Sequence, residues 1–185
     1  MFSTDRLLVR LWEPSDRDRA LDLYSRWEVA RWLGREPRAL AGAAEAEALV
    51  ARFRERSADP RYGVWALERR DTGVVAGSVL LVPLPDGTGG EVEVGWHLHP
   101  DSWGHGFATE AARAALTKGF ADGLEAVHAV VRPENERSLA VCRRLGMTAL
   151  GRTDRWYGRE LEAFRITRDR WPAAGGPSAG GPVPD

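Results

Sequence analysis

Apolar and polar positions divide the chain into short strands and amphipathic helices. Leu7-Leu8-Val9-Arg10-Leu11-Trp12 is an apolar run of strand length, and Glu91-Val92-Glu93-Val94-Gly95-Trp96-His97-Leu98 alternates with period two. That alternation places Glu91, Glu93, Gly95 and His97 on one face of a strand and Val92, Val94, Trp96 and Leu98 on the other. Tyr62–Leu67 and Val74–Val82 predict two further strands joined through Asp71-Thr72-Gly73, a hairpin signal, and 83–90 reads as a loop. Ser15 followed by Asp18 reads as an acidic capping box that opens a helix through Leu21, Leu23 and Tyr24. A second helix is expected from Ala39 to about Arg56, with Leu49 and Phe53 on one face. Helical spacing returns over Thr109–Phe120, with Ala112, Ala115, Leu116 and Phe120 as core positions. The remainder predicts a strand over 126–131, a helix over Ser138–Leu145 ended by Gly146, and a closing hairpin of 152–156 and 161–167 around Tyr157-Gly158. This order suits an α/β (α+β) fold with a mixed sheet, mostly antiparallel, of about seven strands and helices on both faces. There is no internal repeat.

Composition narrows the class. With 185 residues, 43% hydrophobic and 29% charged, the chain reads as one globular domain with a sizeable core. A net charge of −1 supplies no field toward nucleic acid or membrane. The first residues lack a signal peptide's basic start and apolar core, and no apolar run is long enough to span a bilayer, so a cytoplasmic location is expected. The single cysteine, Cys142, excludes an intramolecular disulfide, and four scattered histidines do not form a metal site. Residues 172–185 hold only Pro, Ala, Gly, Ser, Val and Asp, which predicts a disordered tail after a domain of residues 1–171, with Trp171 the last anchored side chain.

Two segments carry candidate chemistry. Trp103-Gly104-His105-Gly106-Phe107-Ala108-Thr109-Glu110-Ala111 is a glycine turn between a strand and a helix. Such a turn presents unpaired N–H groups at the positive end of a helix dipole, a cradle for phosphate, or it is simply a tight turn. The NTPase P-loop is excluded because no Lys-Ser/Thr follows the glycines, and the dinucleotide fingerprint because three spaced glycines after a first strand are missing. The second segment is Asn135-Glu136-Arg137-Ser138, followed by Val141-Cys142-Arg143-Arg144-Leu145-Gly146-Met147. Asn135 reads as a cap or turn residue or a ligand contact, and Ser138 as an N-cap or a site residue.

Jointly these segments resemble the GNAT superfamily of acetyl-CoA-dependent N-acetyltransferases, over about Thr4 to Trp171. Within it the pattern is similar to the ribosomal-protein-alanine (RimJ/RimL-like) group. The phrases that carry the likeness are Thr4-Asp5-Arg6-Leu7-Leu8-Val9-Arg10, Glu93-Val94-Gly95-Trp96, Trp103 to Ala111, and Asn135 with Ser138 and Leu145-Gly146, where Met147 replaces the usual aromatic. The resemblance implies acetyl-CoA as cosubstrate and no metal. It implies a pyrophosphate loop of Trp103, Gly104, His105, Gly106, Phe107, Ala108 and Thr109, with Arg143 or Arg144 available to the adenosine 3′-phosphate. It also implies that pantetheine inserts like an extra strand beside Trp96, His97 and Leu98, with Asn135 bonding its arm and Ser138 near the sulfur.

Amide formation from a thioester needs a neutral amine, a polarised carbonyl and a hydrogen-bond donor for the departing thiolate. The implied roles give the last to Ser138. For the amine, Glu93 is the first candidate base, Glu160 the second, and ordered water the third. Cys142 and His128 read as core residues. Trp27 and Trp32 border the expected acceptor region, as packing residues or as part of an apolar acceptor pocket. The expected function is N-acetyl transfer to a primary amine of a protein N-terminus, amino acid, polyamine or aminoglycoside-type molecule. The rivals are a CoA-binding module without transfer and a transferase of a longer acyl group such as succinyl. The expected partners exclude nucleic acid and membrane, and the chain is expected to act as a monomer or homodimer.

Overall fold

The computed structural model describes residues 1–85 and 89–172. The strands are β1 (Phe2–Ser3), β2 (Leu7–Leu11), β3 (Gly63–Arg69), β4 (Val75–Pro83), β5 (Val92–Leu98), β6 (Ala126–Val131), β7 (Thr148–Thr153) and β8 (Leu161–Thr167). They form one sheet in the order β1-β2-β3-β4-β5-β6-β8-β7, antiparallel throughout except that β5 and β6 run parallel. The mixed sheet is as expected, with eight strands among the described residues rather than about seven. The additional one, β1, pairs only Phe2 with Val9 and Ser3 with Leu8, too short a stretch to display a period.

The helices are α1 (Arg17–Ser25), α2 (Trp27–Ala30), α3 (Ala43–Arg56), α4 (Phe107–Ala121) and α5 (Glu136–Arg144). Their starts differ from the sequence reading for local reasons. A 3-10 turn over Pro14–Asp16 leads into α1, and the capping box is formed by Glu13 and Asp16, not by Ser15 and Asp18. The Asp16 carboxylate accepts from the Glu13 N–H at 2.8 Å while Arg10 holds it from below. The α3 helix begins at Ala43, after Gly42, because the Glu45 carboxylate reaches back to the Ala41 N–H at 2.8 Å. The expected strand at 152–156 is displaced to Thr148–Thr153. The ladder slips at Gly151, and Trp156 leaves it to pack with Leu84 and Ala163 at the sheet end.

Helices cover both faces. On one, Leu7, Val9, Leu67, Leu81, Val92 and Val94 pack against the small face of α4, where Ala111, Ala112, Ala115 and Leu116 are fully buried. Phe120 and Trp171 close the end of that core, and the Trp171 indole donates to Thr117 Oγ1 at 3.1 Å. On the other face Val64, Ala66 and Val75 meet Leu23 and Tyr24 of α1 and Val50 and Phe53 of α3. Both faces being buried explains the nearly continuous apolar run of β4. Of the expected tail, all but Pro172 lies outside the described residues. No described helix is long and apolar enough to cross a membrane.

A half-buried ion cluster ties β2 to the start of α1. Arg10 bonds both Asp16 oxygens at 2.7 and 2.9 Å and Glu68 at 2.7 Å. Burial lifts the Asp16 pKa, but the Arg10 bonds and the Glu13 N–H outweigh it and hold the carboxyl below its usual range. Its stability contribution is therefore present above about pH 4 and lost as pH falls through the folded-state value. Asp16→Ala should lower the unfolding free energy by about 3 kcal/mol in urea titrations at neutral pH, since Arg10 then loses its main partner. A loss of under about 0.5 kcal/mol, typical of exposed pairs, would show that water replaces the carboxylate without cost.

Candidate active site

The parallel neighbours β5 and β6 barely meet. β5 is fully laddered to β4 from Val92 opposite Pro83 to Leu98 opposite Gly77. The bonds Leu84 N–H to Glu91 O (2.8 Å) and His99 N–H to Ala76 O (2.9 Å) fix the phase of that ladder. Odd-numbered residues of β5 thus turn their backbone groups to β4, and even-numbered ones turn theirs toward β6. There the single ladder pairing is Glu93 opposite His128. Past it the backbone groups of Trp96 and the N–H of Leu98 line an opening with no strand partner among the described residues. The Leu98 carbonyl is taken by the Trp103 indole N–H at 2.8 Å. His97, grouped with Trp96 and Leu98 from sequence, spends its backbone groups on β4, so only its side chain is available to a site.

The glycine turn stands at the end of this opening. Gly104 and Gly106 have φ of +80° and +79°, which a side chain disfavours, and Gly106 is the residue at which α4 starts. A Cβ on Gly104 would meet nothing within 4 Å, so the turn's surface is open there. The first intrahelical bond is Glu110 N–H to Gly106 O at 3.1 Å, leaving the N–H groups of Phe107, Ala108 and Thr109 without intrahelical acceptors. They are joined by the positive end of the helix dipole, an arrangement suited to phosphate oxygens. The His105 ring stacks on Phe107, with centroids 5.5 Å apart. Trp103 is a pin: its indole ties the turn to the end of β5, and the Arg137 guanidinium lies 4.5 Å over its ring.

Glu110 explains why the first and third motif phrases occur in one chain. Its Oε2 lies 2.5 Å from Arg6 Nη2 and accepts from Nε at 2.7 Å. Its Oε1 accepts from the Arg6 backbone N–H (3.1 Å) and the Thr4 hydroxyl (2.5 Å). Arg6 also donates to the His105 carbonyl at 3.0 Å, so the N-terminal segment braces the turn from outside.

At the start of α5, Asn135 is the cap and Ser138 is not. The Asn135 Oδ1 accepts from the Ser138 N–H at 3.2 Å, which corrects the reading of Ser138 as N-cap and begins the helix two residues earlier than expected. The Asn135 amide N–H groups and the half-buried Ser138 hydroxyl make no hydrogen bond among the described residues and remain available to a ligand.

On the odd-numbered face of β5 stands a buried carboxyl. Glu93 is 9% exposed, and its Oε2 accepts from the Tyr157 hydroxyl at 2.6 Å. Burial pushes its pKa up to about 7 against the opposing Tyr157 hydrogen bond. Burial, then Glu93 itself, drive the Tyr157 phenol well above its ordinary value, so it stays a donor. Tyr157 is the one described non-glycine residue with positive φ, +61°, and its carbonyl accepts from Arg35 Nε at 3.0 Å. Four residues along β5, the His97 Nδ1 lies 3.2 Å from the Tyr24 hydroxyl, which is itself 2.8 Å from Ser78 Oγ. His97 keeps some solvent exposure, yet desolvation pushes its pKa down to about 4, leaving a neutral imidazole at physiological pH.

The other candidates separate clearly. Glu160 is exposed and paired with Arg152 at 3.0 Å, unlike the buried Glu93. Cys142 is fully buried and its thiol is pushed up to about 12 by burial, in keeping with a core residue. His128 is buried against Trp156, with centroids 5.4 Å apart, and burial followed by Arg165 holds its pKa down. Arg143 pairs with Glu136 at 3.7 Å. Trp27 is 56% exposed, and Trp32 is half-buried beneath Arg31. Among the described residues no three His, Cys, Asp or Glu side chains gather as metal ligands. Tyr24, Arg137 and Tyr157 were missing from the sequence candidates. Tyr157 carried one usable signal, its place before a glycine in a predicted turn.

Known proteins share this fold and much of this sequence pattern. An uncharacterized N-acetyltransferase of Bacillus subtilis, YoaA, is 29% identical over 152 residues, 82% of this chain and 84% of its own. An acetyltransferase (GNAT family) from Bacillus anthracis superposes with a TM-score of 0.76 at 20% identity, covering 91% of this chain and 98% of that one. RimJ of Mycobacterium smegmatis, solved with CoA-disulfide, superposes with a TM-score of 0.71 at 20% identity, covering 90% and 88%. At these identities the two structures speak for the fold alone. The profile of the acetyltransferase (GNAT) domain matches residues 6–148, a span that takes in the open edge of β5, the glycine turn and the Asn135–Ser138 cap, and the chain belongs to that acetyltransferase family.

Proposed function

We propose that this protein transfers the acetyl group of acetyl-CoA to a primary amine by direct attack on the thioester. The observation that carries the reading is the free edge of β5, which ends beside a turn whose last N–H groups, of Phe107, Ala108 and Thr109, have no acceptor among the described residues. An extended amide-bearing arm fits the first and a pyrophosphate the second. The CoA-disulfide found in the M. smegmatis RimJ supports the choice of donor. When bound, the donor supplies an activated carbonyl with a thiolate leaving group.

The chain's own groups then divide the work. Phe107, Ala108 and Thr109 hold the phosphates through backbone N–H groups, with Gly104 and Gly106 permitting close approach. Trp103 positions that turn without touching phosphate itself. The Trp96 and Leu98 N–H groups bond the arm, one of them polarising the carbonyl, and the Asn135 amide adds a side-chain bond. Glu93 takes a proton from the incoming ammonium, directly or through water, while Tyr157 orients the carboxylate. As the C–N bond forms and the C–S bond breaks, the Ser138 hydroxyl donates a hydrogen bond to the departing sulfur.

Thiol release with acetyl-CoA and a panel of amines tests transfer as such. Ser138→Ala should lower kcat roughly 10-fold while leaving the acetyl-CoA KM within about 2-fold, because the lost bond is strongest in the transition state. Wild-type values of both constants would return Ser138 to the role of an ordinary first-turn helix residue.

A further inference from the structure

The mouth of the Glu93–Tyr157 site is crowded with cations that hold carbonyls instead of carboxylates. Arg35 donates to the Tyr157 carbonyl at 3.0 Å, Arg159 to the Arg35 carbonyl at 3.0 Å, and Arg132 to the Gly34 carbonyl at 3.2 Å. Guanidinium groups thereby lace the segment after α2 to the loop between β7 and β8 and to the loop after β6. Arg132 and Arg159 are both half-buried. They lie near enough that Arg159 adds to burial in pulling the Arg132 pKa below its ordinary value, with Glu134 opposing only in part. Arg56, at the end of α3, comes near enough to Tyr157 to oppose part of the rise in its phenol.

Elsewhere half-buried arginines of this chain are neutralised, as Arg10 is by Asp16 and Glu68 and Arg19 by Asp101 at 2.8 Å. Among the described residues none of Arg35, Arg56, Arg132 and Arg159 makes an ion pair with a carboxylate. A guanidinium has five N–H donors, and one hydrogen bond each leaves Arg35, Arg132 and Arg159 with most of theirs unspent. Arg35 and Arg56 are exposed, but bringing the half-buried Arg132 and Arg159 together beside them is costly unless an anion completes the group. The unspent donors form forks that match phosphate or carboxylate oxygens.

We propose that Arg35, Arg132 and Arg159 recognise an anionic group on the acceptor, so that the preferred amine carries a phosphate or carboxylate a few bonds from the reacting nitrogen. This rests on the acetyltransferase reading, with the amine delivered to Glu93. The spacing follows from Tyr157, whose backbone is held by Arg35 while its hydroxyl reaches Glu93. Anion and amine sites are thus one tyrosine side chain apart. Polyamines and aminoglycoside-type molecules carry the wrong sign for this mouth.

Matched acceptors test the inference with acetyl-CoA as donor. Aminoalkyl phosphates and ω-amino acids of graded length are compared with alkylamines of equal length, and thiol release gives kcat/KM for each. The anionic members should exceed their neutral counterparts by about 10-fold or more at low ionic strength, with the advantage shrinking as salt is added. Whether phosphate or carboxylate gains more identifies the anion. In Arg132→Gln and Arg159→Gln the anionic-to-neutral ratio should collapse toward unity, whereas Arg159→Lys, which keeps charge and a donor, should retain much of it. The ratio is internal to each variant, so a partly folded preparation does not move it. Equal rates for anionic and neutral amines, or a ratio indifferent to both Gln substitutions, would overturn the anion site and leave acetyl transfer standing. Transfer to no amine of either class would overturn the acetyltransferase reading and this inference with it.

Discussion

Gly106→Asp should abolish the thermal stabilisation that acetyl-CoA confers on the wild-type protein. A ligand at about 100 times its Kd adds about 2.7 kcal/mol to the folded state. For a domain of this size that corresponds to a Tm increase of roughly 5–10 °C. The substitution acts on the cradle in two ways. At φ +79° any side chain is strained by about 1–2 kcal/mol, and the new carboxylate stands next to the N–H groups of Phe107, Ala108 and Thr109, where it competes for their bonds. A Cβ at this position meets only Arg6 Nη2, at 3.5 Å, so the fold has room for it. Gly106→Ala serves as the control that adds strain without charge, and it should keep part of the shift. Differential scanning fluorimetry with and without acetyl-CoA makes the measurement. An undiminished shift in Gly106→Asp would remove the turn from the donor site.

Glu93→Gln should reduce kcat/KM by on the order of 10²-fold and flatten the acidic limb of its pH profile. A base must be ionised to accept a proton, and burial places the Glu93 pKa at about 7, so the wild-type rate should climb through that region and level off above it. Tyr157→Phe removes the hydrogen bond that favours the ionised carboxylate, so its limb should move to higher pH with the plateau less affected. The same buried carboxyl has a measurable cost to the fold. Its folded-state pKa is raised, so its contribution to stability is fully present below the unfolded value of about 4.3 and lost as pH rises through about 7. Glu93→Gln carries no such loss. Its Tm should exceed the wild-type value near pH 8 and approach it near pH 4. A variant with normal kcat, raised KM and unaltered profile would make Glu93 a substrate-binding carboxylate. Reduced activity without the alkaline gain in Tm would contradict the burial argument.

The parts of this fold that local chemistry dictates were legible in the sequence. Period-two alternation identified β5 and its two faces, and the glycine pair identified the turn, because positive φ and an exposed helix start leave direct marks on residue choice. The buried face of α4 was legible for the same reason, with Ala112, Ala115 and Leu116 at helical spacing. What stayed hidden depends on contacts between distant segments. Nothing near Tyr157 announces that its side chain folds back onto Glu93, 64 residues earlier. The clamp between Arg6 and Glu110 spans 104 positions, and its two halves read as separate motif phrases. Sequence grouped Trp96, His97 and Leu98 as equals, whereas ladder phase assigns His97 to β4 and its neighbours to the opening. The choice between Asn135 and Ser138 as cap turned on which side chain accepts from which N–H, a matter both residue types permit.

The opening between β5 and β6 also divides the molecule mechanically. Since Glu93 opposite His128 is the only rung joining them among the described residues, the sheet consists of two leaves, β1–β5 and β6–β8, each with its own backbone ladders. Side-chain packing joins the leaves, with α4 lying on the first and α5 beside the second. Native-state hydrogen exchange should show whether these leaves part along the seam at less than the energy of global unfolding. A donor laid along Trp96 and Leu98, with its phosphates on α4 and its arm against Asn135 of α5, touches both. It would act as the missing rungs, and ligand binding would then fuse two cooperative units into one.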